Sequence, residues 1–269
     1  MNLVAAAVQM SSGPDKERNL ALAERLIREA AARRATVVVL PEVFNWRGRR
    51  NEQQAAAEDL DGITISAMAR LARELRIFLV AGSITERIPG QTKAYNTSVL
   101  IGPDAFVMAV YRKIHLFDVE ITGRVQTRES DAKVSGTEVV CVPTSAAIFG
   151  LSVCYDLRFP ELYRKLADRG ATVVTIPSAF THHTGEAHWE MLVRARAIEN
   201  QVFVIAPNQF GPNVHGFPDY GNSMIADPWG RVLARGSGDS EEVIVASLDF
   251  DELERVRREL PSLQHRRIS

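Results

Sequence analysis

Disulfides cannot hold this chain together. Its 269 residues include two cysteines, Cys141 and Cys154, too few for a disulfide framework. The opening "MNLVAAAVQM" has no basic start and is too short for a membrane span. It reads as a β-strand. With no secretion signal, a reducing cytoplasmic setting is the expectation. An excess of one charge is missing too. The 32 basic and 33 acidic side chains leave a formal net charge of −1, so nothing favours nucleic acid or a lipid surface as partner. Linkers, low-complexity tracts and fixed-period repeats are also absent. The expectation is therefore one domain over residues 1–269, long enough to bury a large core.

What the sequence does contain is an alternation of strand and helix patterns. "PDKERNLALAERLIREAAARRA" predicts a helix with Pro14 in its first turn, and Leu20, Ala23, Ile27, Ala30 and Ala31 on its buried face. "TVVVLPE" fits a strand covered on both sides. A helix follows at 63–76, then three strands, "IFLVAGSITER", "YNTSVLIGP" and "AFVMAVYRKIH". A strand ends at Cys154. Helices at 160–169 and 187–199 then alternate with strands at 171–176 and 202–207. Two last strands, "SMIADPWGRVLARG" and "EVIVASLDF", precede a charged helix at 250–259. The order β-α-β-α-β-β-β occurs twice. The fold class is an α/β sandwich of two mixed sheets flanked by helices, α-β-β-α. Cys141, in the alternating run "TEVVCVPT", is expected to be a small buried side chain.

Functional groups in such sheets collect beyond the carboxyl ends of strands. Three polar residues stand there after strongly apolar runs: Glu42, Lys113 and Cys154. Each has an ordinary explanation, as a helix cap, a snorkelling cation and a space-filling thiol. Their recurrence at strand ends points to chemistry instead. These three strand-end positions offer no histidine, so the base available to the thiol is a carboxylate. A free thiol with a pKa near ~8.5 is only slightly ionised at neutral pH. A nearby ammonium is expected to lower that value, and a carboxylate can accept the proton.

The segments "LPEVF", "YRKIHLFDVEITG", "GLSVCYDLRFPELYR", "TIPSAFTHHTGEAHWEMLVRARAIENQVFV" and "YGNSMIADPWGRVLA" resemble the nitrilase superfamily of carbon–nitrogen hydrolases from residue 3 onward. Its working set is Glu-Lys-Cys, which falls here on Glu42, Lys113 and Cys154. The resemblance further implies Glu129 as a second glutamate and the Tyr155 backbone N–H as an oxyanion donor. "YRKIHLFDVEI", "CYDLRFPEL", "TGEAHWE" and "LPSLQHRR" are similar to the branch holding deaminated glutathione amidase and omega-amidase. That branch has proline where this chain has Thr122. Its implied chemistry is hydrolysis of a small linear amide through a thioester, with no metal or organic cofactor. Phe44, Arg158, Ser178, Phe180 and Thr181, within the matching segments, are candidate substrate contacts. The resemblance also implies a homodimer or larger homo-oligomer, with the tail at about 260–269 at the interface. The loop 211–221 departs from the animal members and is expected at the pocket mouth.

Other features weigh against different classes. His182, His183 and His188 lack the HExxH spacing, and no further zinc ligands can be located. The basic run "RGRRNE" (Arg47, Arg49, Arg50) reads as a solvated loop, or else as an attractor for a carboxylate-bearing substrate. Arg158 reads as the partner of Asp156 or Glu161. Within the family, α-ketoglutaramate-type amides and N-carbamoyl substrates are the alternatives, and a nitrile follows them. From another class, the same scaffold could carry a catalytically silent interaction protein.

Overall fold

The computed structural model describes residues 2–268; Met1 and Ser269, the last residue of the tail discussed above, lie outside the described residues. Two sheets carry the architecture. The first runs in the order Glu242–Asp249, Asn2–Gln9, Val37–Val39, Phe78–Val80, Ala94–Ile101, Ile84–Arg87, with Val107–Arg112 also paired to Ala94–Ile101. The second runs Val232–Arg235, Met224–Ala226, Phe203–Ala206, Val173–Thr175, Ile148–Leu151, Cys141–Pro143. Each has three parallel strands at its centre and antiparallel strands outside. The duplicated sequence order is therefore a duplicated sheet. Glu242–Asp249 follows the second sheet in the chain yet closes the first, pairing along all of Asn2–Gln9.

The strands explain the layers. Side chains alternate across a strand. Ala5, Ala7, Val37, Val39 and Val80 face the cluster that includes Phe149, Leu151, Val173 and Val204 of the second sheet. Ala6, Val8, Val38 and Leu79 face the opposite cluster, with Leu22, Leu26 and Ile27 of the helix Lys16–Ala32 and Ile65, Met68 and Leu71 of Ile63–Leu75. Leu162 and Leu166 of Pro160–Asp168, and Val193 and Ala197 of His182–Asn200, join the first cluster. The result is helix, sheet, sheet, helix. No helix among the described residues is long and apolar enough to cross a membrane.

Several boundaries differ from the expected ones, each for a local reason. Pro14 stands outside the first helix, because Asp15 is its N-cap and accepts from the Arg18 N–H at 3.0 Å. "IFLVAGSITER" is two strands, broken at Gly82. That glycine has φ +41°, and a Cβ there would lie 2.0 Å from the Pro41 carbonyl oxygen, so no larger residue fits beside the strand end that carries Glu42. The helix expected at 187–199 starts at His182, and Gly185 within it makes room for the Tyr220 ring. "SMIADPWGRVLARG" is a hairpin whose turn is tied by Asp227, accepting from the Trp229 and Arg231 N–H groups. Cys141 lies on the edge strand and is only half-buried, not buried.

Glu58 holds the first helical layer to the loop after Glu42. Its carboxylate accepts from the Thr64 N–H at 2.9 Å, the Thr64 hydroxyl at 2.6 Å, the Asn45 amide at 3.2 Å and the Lys16 ammonium. Burial alone would raise its pKa; the Lys16 and Thr64 donors outweigh it and leave the group below its ordinary value. A depressed folded-state pKa contributes stability above the unfolded value, and that stability is lost as pH falls through the carboxylate range. Glu58→Gln should cost about 1–3 kcal/mol at neutral pH and progressively less on acidification. Urea unfolding of both proteins across that range tests this, and a pH-independent difference would contradict it.

Candidate active site

Glu42 follows the strand Val37–Val39, Lys113 follows Val107–Arg112, and Cys154 follows Ile148–Leu151. The first two belong to one sheet and the third to the other. All three line one cavity, together with Glu129, Asn96, Lys133 and Ala179. The cavity has a volume of about 140 Å³ and opens to solvent.

At the centre is the Lys113 ammonium, 2% exposed. It donates to Glu42 Oε1 at 2.9 Å and to Glu129 Oε2 at 2.8 Å. Burial would discharge it, but the two carboxylates reverse that and hold its pKa well above the ordinary lysine value. Glu42 also accepts from the Asn96 amide at 2.8 Å and, on its other oxygen, from the Ala179 N–H at 3.0 Å. Glu129 accepts from the Phe117 N–H at 2.7 Å and from the same Asn96 amide at 3.0 Å. Burial works against ionised Glu129, yet Lys113 and these donors keep its pKa below the usual carboxylate range. Asn96, from the strand Ala94–Ile101, thus spans both glutamates. Sequence reading missed it, because an asparagine inside "YNTSVL" gives no local signal beyond being polar in an apolar strand.

Cys154 sits at φ +48°, a left-handed conformation that costs a non-glycine residue about 1–3 kcal/mol. The surroundings hold it there. Its own N–H donates to the Pro177 carbonyl at 2.9 Å, and the next residues form the short turn Cys154–Arg158. The buried Asp156 carboxylate accepts from the Val153 N–H at 2.9 Å, the Tyr111 hydroxyl at 2.6 Å and the His115 N–H at 3.0 Å. Tyr111 and His115 flank Lys113 by two residues on either side. One carboxylate therefore clamps the thiol turn to the lysine segment. The Tyr155 N–H, in that turn, has no hydrogen-bond acceptor among the described residues.

Two expectations about charge need correction. The Lys113 ammonium does not leave the thiol acidic: burial, and then the Glu42 carboxylate, push the Cys154 pKa well above its ordinary value. Lys113 pulls the other way but is already paired with two carboxylates, so the resting sulfur is a neutral thiol. Arg158 has no carboxylate within 4.0 Å among the described residues. Asp156 is taken by Tyr111 and His115, and Arg158 lies instead over the Phe180 ring, 4.9 Å from its centroid, with His188 Nδ1 at 3.2 Å.

The candidate substrate contacts divide. Thr181 lines the cavity. Phe44 is fully buried in the core between the first sheet and its helices, and its neighbours Val43 and Trp46 line the cavity instead. The Ser178 hydroxyl donates to the Ile176 carbonyl at 2.9 Å, and Phe180 packs on Trp189. Neither of these two nor Arg158 lines the cavity. Arg47 is not in a solvated loop: it is 7% exposed and ion-paired with Asp219 of the loop 211–221. That loop does reach the cavity, through His215 and Phe217. His182 and His183 open the helix His182–Asn200, exposed to solvent.

A thiol, a carboxylate, a buried cation and a free backbone N–H at the carboxyl edge of a four-layer sandwich are the groups that hydrolysis by acyl transfer needs. The carbon–nitrogen hydrolase family model matches residues 4–258, and the chain belongs to that family. It is 44% identical to deaminated glutathione amidase of Mus musculus over 97% of this chain and 82% of the relative. It is 37% identical to an omega-amidase of Xenopus tropicalis over 97% and 93%. Among solved structures, a Saccharomyces cerevisiae member of branch 10 of the nitrilase superfamily superposes with TM-score 0.90 at 34% identity, covering 99% of this chain and 97% of that one. The enzyme acts on amide carbon–nitrogen bonds.

Asn96→Ala removes one donor from each glutamate. It should lower kcat/KM on an amide by about 10- to 100-fold, mainly in kcat. Unchanged kinetics in a folded variant would show that Asn96 positions neither group.

Proposed function

We propose that Glu42, Lys113, Cys154 and Glu129 hydrolyse a small linear amide, with deaminated glutathione as the favoured substrate. The observation that carries the reading is the shared cavity: thiol, carboxylate and doubly paired ammonium open on one space of amide size. Glu42 takes the thiol proton as Cys154 Sγ attacks the amide carbonyl carbon. The electron pair moves to oxygen, and this oxyanion meets the Lys113 ammonium and the Tyr155 N–H. Preset donors of this kind are worth roughly 3–4 kcal/mol each. The C–N bond breaks, Glu42 returns its proton to the leaving nitrogen, and ammonia departs from a thioester. Glu42 then deprotonates a water that attacks the thioester carbonyl, and the thiol is regenerated with the carboxylate product. Glu129 keeps Lys113 in place throughout.

Deaminated glutathione ranks first because the mouse relative bears that name at 44% identity. The Xenopus omega-amidase keeps α-ketoglutaramate-type amides second. Two unpaired cysteines are consistent with a reducing cytoplasm. Residues 1–269 are read as one domain, since the strand Glu242–Asp249 completes the sheet that Asn2–Gln9 begins.

Ammonia release from deaminated glutathione, α-ketoglutaramate, an N-carbamoyl amino acid and a nitrile should fall in that order. Cys154→Ala should abolish it, and Glu42→Gln should lower it about 10²- to 10⁴-fold. Release from none of them by the native chain would favour an interaction protein on the same scaffold. We also propose a homodimer or larger assembly. The exposed Met191, Ile198 and Trp229 are consistent with a covered face. Light scattering that finds only a 30 kDa species (one chain is 29.8 kDa) would contradict it.

A further inference from the structure

The two proposed oxyanion donors come from different sheets. Lys113 follows a strand of the first, and the Tyr155 N–H belongs to the turn after a strand of the second. One oxygen can meet both only if the turn Cys154–Arg158 is fixed against the segment 111–117.

The buried Asp156 carboxylate is the joint between them, and His115 fills half of it. No lysine or arginine lies within 4.0 Å of Asp156 among the described residues; its basic neighbour is His115. Oδ2 accepts from the Val153 N–H and the Tyr111 hydroxyl, and Oδ1 accepts from the His115 N–H at 3.0 Å. The His115 Nδ1 lies 2.7 Å from that same Oδ1. A carboxylate only accepts, so Nδ1 carries the hydrogen, and about four acceptor sites are thereby all met. Tyr111 is fully buried, whereas the His115 side chain is 27% exposed, so the imidazole can be changed without opening the core.

The rings repeat the grip. His115 lies flat on Phe159, with 3.7 Å between centroids and 5° between planes. Phe159 packs edge-on against Tyr155 at 5.3 Å, and Tyr155 edge-on against Phe117 at 5.0 Å. Two rings of the thiol turn are thus held between two rings of the lysine segment. Phe117 in turn donates its N–H to Glu129, which holds Lys113. Neither His115 nor Asp156 lines the cavity.

We propose that His115 is a positioning residue: its imidazole, hydrogen-bonded to Asp156 and stacked on Phe159, sets the spacing at which the Lys113 ammonium and the Tyr155 N–H reach one oxyanion. The inference rests on the acyl-transfer reading above. His115 takes no part in bond making. Cys154 has its own tie, from its N–H to the Pro177 carbonyl. Loss of the imidazole therefore leaves the thiol beside Glu42 and lets the rest of the turn drift from Lys113. The cost falls on the oxyanion, and so on kcat.

The test uses the full chain, His115→Phe, which keeps a ring over Phe159 and removes the donor, and His115→Asn, which keeps a donor toward Oδ1. With deaminated glutathione as substrate and ammonia as readout, kcat should fall about 30-fold in His115→Phe, with KM within about 2-fold. His115→Asn should recover to within about 5-fold of the native kcat. Alkylation of Cys154 by iodoacetamide makes no oxyanion, because Sγ displaces iodide from a saturated carbon. Its rate should stay within about 3-fold in both variants. Butanal does place an oxygen there: Sγ bonds to the aldehyde carbon, and the thiol proton passes to the aldehyde oxygen. Read as protection against iodoacetamide, its Kd should rise about 30-fold in His115→Phe. Tyr111→Phe removes a second donor from the same carboxylate and should show the same split, which serves if His115→Phe does not fold. Equal losses in hydrolysis and alkylation would mean that His115 supports the thiol turn as a whole, and would overturn the proposal. An unchanged kcat, a loss confined to KM, or a native thiol that butanal does not protect would do the same. Should the native chain release no ammonia from any amide, the hydrolytic reading fails, while butanal and iodoacetamide still decide whether His115 sets the spacing.

Discussion

A lysine ammonium buried between two glutamates is the interaction on which this site depends. Burial alone would take the proton from Lys113 and put one on Glu129. Their pairing keeps Lys113 and Glu129 charged, and the formal charges of the lysine and its two carboxylate partners sum to one negative. Their geometry has to be correct, since attraction repays desolvation only when the remaining donors and acceptors are met. Asn96, Ala179 N–H and Phe117 N–H supply those donors. They come from the middle of one sheet, the loop after a central strand of the other and the loop after Lys113. The ion cluster can therefore form only when the two sheets are stacked in register.

That net negative charge also explains the thiol. A lysine flanked by two carboxylates stabilises a thiolate weakly, and the buried sulfur next to Glu42 stays protonated. A neutral thiol at rest is protected from alkylation and oxidation. In the proposed mechanism the proton leaves as the carbonyl is attacked. In that mechanism, as negative charge moves from sulfur to the carbonyl oxygen, Lys113 gains a third partner beside its two carboxylates. The arrangement favours the transition state over the resting enzyme, which is what catalysis requires.

The sheets and the strand-end residues were legible in the sequence because both depend on local pattern. Runs such as Val37–Val39 and Phe203–Ala206 are apolar on both faces, and the duplicated order announced two sheets. Glu42, Lys113 and Cys154 stood out as polar residues closing such runs. Long-range partnerships were not legible. Asn96 is one polar residue in a strand until Glu42 and Glu129 approach it from 54 and 33 residues away. Arg47 looked like part of a basic loop because Asp219 lies 172 residues further along. Phe44 sits one residue from a cavity-lining position, next to Val43 at φ +46°, and its side chain lies in the core. A resemblance in sequence carries the chemistry more faithfully than the pocket, because the pocket is assembled from the joints between elements.

The two buried lysines of this cavity differ in what compensates them. Lys113 is fully compensated by the protein and keeps its charge with or without a ligand. Lys133 donates only to a hydroxyl and a distant carbonyl, and burial lowers its pKa to about 7 although Glu129 and Glu42 oppose the fall. Compensation within the protein keeps the Lys113 charge in place through every turnover. Without its two carboxylates, Lys113 would follow Lys133 downward, since burial acts on both in the same direction.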